Sequence, residues 1–216
     1  MVALKPVHVV AFVCCVSVAA QAAIVTAEPD DFANGADISD SFVGLTLSSV
    51  GPYAGSGGLL DGRVYSRTAE NPLFAGTGIR VFGNNLTGTD SASVSRNQLW
   101  YQSSSLLSAY RLRADFDAPA DYVAIDFITN NGSDKGVLEA YDSTGTLLAS
   151  ADAFSSGGPH TVEISRPSYD IAYIIASGVA GETLCLDNLT ANVIPEPATL
   201  LLLGLGGLGL VRRIKR

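Results

Sequence analysis

Hydrophobic and polar positions alternate in short runs through most of the chain, and hardly any run keeps the 3.6-residue period of an amphipathic helix. Thr161-Val-Glu-Ile-Ser165 is the plainest strand, with Val162 and Ile164 on one face and polar residues on the other. Tyr122-Val-Ala-Ile-Asp-Phe-Ile128 turns Val123, Ile125 and Phe127 toward a core and Asp126 away from it. It follows a strand over 110–116 through the linking run Asp117-Ala-Pro-Ala-Asp121. Residues 41–48 predict the first strand, centred on 42–47. Shorter strands are expected at 59–67, 78–82, 92–95 and 99–101, and 106–110 reads as a turn feeding the next strand. Residues 137–141 and 146–151 predict a hairpin closed across Asp142-Ser-Thr-Gly145. The near-continuous apolar run 170–176 suits a central strand, and 183–192 the last one. Between these runs lie Gly, Asn, Asp and Ser clusters, among them the loop 50–58 and the tip 130–136. Ten or so short strands at this spacing predict an all-β fold, an antiparallel β-sandwich.

Both ends break the pattern. Residues 1–22 carry Lys5, an apolar run from 7 to 20, and Ala20-Gln21-Ala22 ahead of Ala23, which is the layout of a secretory signal peptide cut after Ala22. Cys14 and Cys15 lie inside it, and Val13 before Cys14 stands where a lipoprotein motif wants a small residue. At the other end, Pro195-Glu196-Pro197 is held extended by its two prolines. Residues 198–211 are uncharged and rich in Leu and Gly. Arg212, Arg213, Lys215 and Arg216 close the chain with four positive charges. As a helix the 14-residue apolar run spans roughly 21 Å, short of the ~30 Å hydrocarbon core, and snorkelling by Arg212 and Arg213 covers part of the difference. The basic end stays cytoplasmic, which leaves everything upstream outside. A buried core helix would not keep all its polar residues beyond its ends. Gly204 to Gly209 matches a dinucleotide fingerprint in letters alone, since no strand precedes it and no βαβ unit follows.

Val193-Ile-Pro-Glu-Pro-Ala-Thr-Leu200, the Leu/Gly run and Arg212-Arg213 together resemble the PEP-CTERM sorting signal of Gram-negative bacteria. The resemblance covers 193–216 and implies a transient partner, exosortase, a membrane-embedded protease-transpeptidase that removes the tail. It further implies an inner-membrane-anchored precursor with its body in the periplasm, then a cell-surface or extracellular protein, often one that accompanies exopolysaccharide and biofilm matrix. The domain plan that follows is a signal peptide over 1–22, a β-sandwich over 23–192 and the sorting signal over 193–216, with a short transmembrane helix at 198–211 and a basic tail at 212–216.

Without its two ends the chain keeps 172 residues, 23–194, enough for one domain to bury about 70% of its unfolded surface. Only Cys185 remains, so no intramolecular disulfide forms, and a half-buried filler role suits it. This body carries 8 positive against 20 negative side chains, a net of −12, which excludes nucleic acid as a partner.

Catalytic chemistry is sparse. His160 is the body's one histidine and follows Gly157-Gly-Pro159 in an expected turn. No Gly-x-Ser-x-Gly elbow and no His-Glu-x-x-His occurs. Asp126, Glu139 and Glu163 stand on separate strands, where a glycosidase would need two carboxylates ~5 to ~9.5 Å apart. The body is therefore read as non-enzymatic, with a secreted carbohydrate-active enzyme as the alternative. Phe32-Ala-Asn-Gly35, the hairpin 136–148 and Leu186-Asp-Asn-Leu-Thr190 resemble lectin-like and carbohydrate-binding jelly rolls. In such folds a structural Ca2+ joins the first-strand region to the last strand; the resemblance places Asp30, Asp31 and Asp187 as its ligands here, and hard cations take oxygen donors. Asn130, Asn131 and Asp134 form a second, weaker tip of this kind. Trp100 and Tyr101, in the polar stretch 97–102, are the candidate glycan platform. Ice binding would call for a regular threonine array, and the threonines here are scattered.

Overall fold

The computed structural model describes residues 22–50, 62–68, 79–83, 111–129, 135–154, 158–178 and 184–194. Outside them lie the signal peptide through Gln21, the expected strands 92–95 and 99–101, the turn 106–110, and everything from Pro195 on, including the apolar run 198–211.

The described residues form ten strands: β1 Ala23–Ala27, β2 Leu45–Val50, β3 Tyr65–Thr68, β4 Arg80–Gly83, β5 Arg111–Thr129, β6 Lys135–Tyr141, β7 Leu147–Phe154, β8 Gly158–Ser165, β9 Ile171–Gly178 and β10 Leu184–Val193. One 3-10 turn, Pro29–Asp31, is the only helical element among them. All pairings are antiparallel. The fold is an antiparallel β-sandwich.

Its organising strand is β5, 19 residues long. The first part, from Arg111 to Phe116, pairs with β2 on one side and β9 on the other, and β9 continues to β6 and β7. The second part, from Ala120 to Thr129, lies between β10 and β8, and β10 carries β1 on its far edge. One strand thus serves both layers. The switch comes at Asp117-Ala-Pro-Ala-Asp121, where the pairing with β9 shifts register between Asp115 and Ala120. Strands change sheets at such bends, and a proline is tolerated there because the ladder is already interrupted. Two segments are tied to the bend: Asp117 N–H donates to Gly44 O at 3.0 Å and Ile194 N–H to Pro119 O at 3.1 Å.

The period-2 pattern fills the space between the layers. Val123, Ile125 and Phe127 of β5 are fully buried, as are Leu112 and Ala114 from its first part. Leu138 and Ala140 of β6, Ile171, Ile174 and Ala176 of β9, and Leu186 and Ala191 of β10 join them. Val162 and Ile164 of β8 complete that wall at 5% exposure each. Burying a side chain of this size is worth about 1.5–3 kcal/mol, so the core rests on these alternations.

Two elements differ from the sequence reading. A strand, β1, precedes the expected first one, directly after the predicted signal cleavage point. Strand β2 begins at Leu45, because Gly44 has φ +92° and closes a turn that contains Phe42. Phe42 leaves the ladder and packs edge-on against Phe32, with centroids 5.4 Å apart at 76°. Where the hairpin was expected, β6 and β7 pair across a turn in which Asp142 accepts from the N–H groups of Thr144 and Thr146, both at 2.8 Å. Gly145 there takes φ +86°, a left-handed conformation that glycine enters without steric cost.

Candidate functional site

Strand β10 lies between β1 and β5 and runs to Val193, immediately before the sorting motif. Pro195, Glu196 and Pro197, and the basic residues Arg212, Arg213, Lys215 and Arg216, lie outside the described residues, as does Ala20 of the signal cleavage site. Ala22 is exposed and precedes β1 directly. Trp100, Tyr101 and the tip of Asn130, Asn131 and Asp134 also lie outside the described residues.

The expected cation ligands are partly brought together. Asp187 is 9% exposed and sits at a bulge of β10, where the register with β5 shifts between Asp187 and Thr190. The next residue, Asn188, takes φ +48° and donates its backbone N–H to Asp187 Oδ1 at 2.9 Å and its side-chain amide to Asp126 Oδ2 at 3.2 Å. Glu28, between β1 and the 3-10 turn, reaches the Asp187 carboxyl with its own. Desolvation, then the Glu28 charge, raises the Asp187 carboxyl to about 8, with Asp30 and Asp126 adding to the shift. Asp30 Oδ1 accepts from the Arg80 N–H at 2.5 Å. Asp31 contributes its field at Glu28. Among the described residues no three His, Cys, Asp or Glu side chains are grouped as metal ligands.

Of the three carboxylates weighed for hydrolysis, two share a layer and the third stands on the other. Asp126 and Glu163 belong to the layer of β10, β5 and β8, and Glu139 to that of β9, β6 and β7. Glu163 accepts from Tyr122 OH at 2.8 Å. His160 lies within β8, opposite Phe127, and not in a turn. Cys185 is fully buried on β10.

A grouping of another kind appears on the outward face of the layer β2–β5–β9–β6–β7. Inward positions Leu112, Ala114, Ile174, Ala176, Leu138 and Ala140 leave the alternate residues of three adjacent strands facing out. Asp115, Tyr173 and Tyr141 stand side by side in register, with Thr46 of β2 and Leu147 of β7 at the two ends of the row. Arg113 stacks its guanidinium 3.8 Å from the Tyr173 ring centroid. Tyr173 and Tyr141 stack at 4.9 Å and 7° between planes. Asp115 grips Arg113 twice, at 2.6 Å to Nη2 and 2.8 Å to Nε, which raises the guanidinium's pKa further. Tyr141 OH donates to Glu139 Oε2 at 2.9 Å, and burial followed by this carboxylate pushes the phenol up to about 12. The sequence reading missed this set because it is spread over three strands. The local signal was the outward alternation in Arg111-Leu-Arg113-Ala-Asp115.

Residues 193–216 match the PEP-CTERM protein-sorting motif, the mark of an exported, exosortase-sorted chain. No curated protein matches the sequence. Among solved structures, the enzymatically active domain of tailspike protein 4 of bacteriophage CBA120 is similar over 75% of this chain and 21% of its own, at 12% identity and a TM-score of 0.32. A likeness of that size carries no argument about the body.

Proposed function

We propose that exosortase cuts the chain at its PEP motif and so converts an inner-membrane-anchored precursor into a surface or extracellular-matrix protein. Its body then serves as a non-enzymatic sandwich that binds glycan of the matrix. The observation that carries this reading is the sorting-motif match over 193–216, joined without a spacer to the last strand, β10.

Replacement of Pro195, Glu196 and Pro197 by alanine tests the sorting half. The expected result is a full-length precursor that stays in the inner-membrane fraction while the unaltered chain appears shortened outside. Normal release of the alanine variant would overturn it.

A further inference from the structure

Arg113 lies over Tyr173, and Tyr173 stacks on Tyr141, in a row across three strands, with Asp115 and Glu139 fixing its polar ends. We propose that this row is a binding strip for a neutral oligosaccharide laid across the strands, an inference that rests on the reading of the body as a glycan-binding module and names its site and ligand class.

Four observations carry it. The strip is open to solvent: the Arg113 and Asp115 side chains are 34% and 43% exposed. Its groups are held in place beforehand, by a bidentate ion pair, a phenol–carboxylate bond and ring stacking on paired strands. Ligand binding therefore freezes few rotamers, which is where affinity for flexible ligands is usually lost. The polar set consists of guanidinium and phenol donors beside carboxylate acceptors, the complement of sugar hydroxyls, and Tyr141 ends the stack as an apolar plate on the β7 side. Finally, the charge balance disfavours an anionic ligand. Asp115 offsets Arg113, Glu139 offsets Arg111, whose charge reaches Tyr141, and the surrounding body carries a net of −12, so a polyanion meets no net positive field. The three strands that carry these groups, ~4.8 Å apart, give a strip roughly 10 Å wide, longer than a single sugar ring.

The test is calorimetric titration of the processed, exported protein with hexasaccharides of β-1,4-glucan, α-1,4-glucan and β-1,4-mannan, beside a polygalacturonate oligomer of the same length. At least one neutral oligomer is expected to bind. Tyr141→Ala should weaken it at least ~10-fold, the equivalent of about 1.4 kcal/mol. Glu139→Gln and Tyr141→Phe, which keep shape and stack, should weaken it less while leaving the melting midpoint unchanged, so a fold defect in Tyr141→Ala would not decide the matter. Failure of every neutral oligomer to bind, tighter binding of polygalacturonate, or unchanged affinity in Glu139→Gln and Tyr141→Phe would each overturn the strip. Chromatography of the same mixtures separates the two readings: shortened oligosaccharides would sink the non-enzymatic body whether or not the strip binds.

Discussion

The backbone N–H of Ile194 donates to the carbonyl of Pro119 at 3.1 Å, so the immediate neighbour of the first residue of the PEP motif is tied into the sandwich. A peptidase that grips an extended segment needs those backbone groups unpaired. Insertion of four Gly/Ser residues between Ile194 and Pro195 is therefore expected to speed tail removal, read by pulse–chase as the ratio of precursor to product. An unchanged rate would show that pairing at the end of β10 does not limit access.

Asp187 sets a pH dependence on the alkaline side. Its carboxyl keeps a proton in the folded protein up to about 8, whereas the unfolded chain releases it near the ordinary 3.8. Between these values the native state binds the extra proton, so stability falls as pH rises from about 4 to about 8 and levels off above. Asp187→Asn should flatten that slope in melts taken across the range. A midpoint at pH 8 raised by Ca2+, reversed by chelator and lost in Asp187→Asn would instead show these carboxylates holding a cation.

The acid side belongs to Asp170. The Arg166 guanidinium, bonded through Nη2 at 2.7 Å, holds this carboxyl down to about 2. Here the unfolded chain binds the proton first, so the contribution is complete above about 4 and lost as pH falls through 2. Asp170→Asn should remove it while leaving the alkaline slope intact. The pair is only half-buried, and salt should shrink the effect.

Glycine 44 ties the unexpected first strand to the rest. It has φ +92°, and a Cβ there would lie 2.8 Å from Val25 Cγ2 of β1. Gly62 has φ +80° with nothing within 4 Å of such a Cβ. Gly62→Ala should cost the backbone strain alone, about 1–3 kcal/mol. Gly44→Ala should cost clearly more, the difference measuring how tightly Val25 docks. Equal midpoints in the two variants would mean that β1 yields freely.

Legibility in the sequence followed the range of the cause. The alternation in β8 and the Asp142–Gly145 turn are local, and both elements appear where the residues place them. The run Asp117–Asp121 reads as a link between two strands because its proline and acids resemble a loop. The backbone instead carries the strand on through the bend, with Ala118 and Ala120 small enough to be buried there. Strand β1 was overlooked because Ala23-Ile-Val-Thr-Ala27 follows a cleavage site and has no turn signal of its own. Its order comes from pairing with Leu189–Val193 at the far end of the domain. The meeting of Glu28 with Asp187, and the stacking of Arg113, Tyr173 and Tyr141, depend on strand order, which no window of residues contains.

Because Arg111–Thr129 is a wall of both layers, neither layer has an independent existence. A pull on Ile194 reaches, through its bond to Pro119, the bend that the two layers hold in common. The domain is in this sense built like a keystone, with both sides bearing on the same strand.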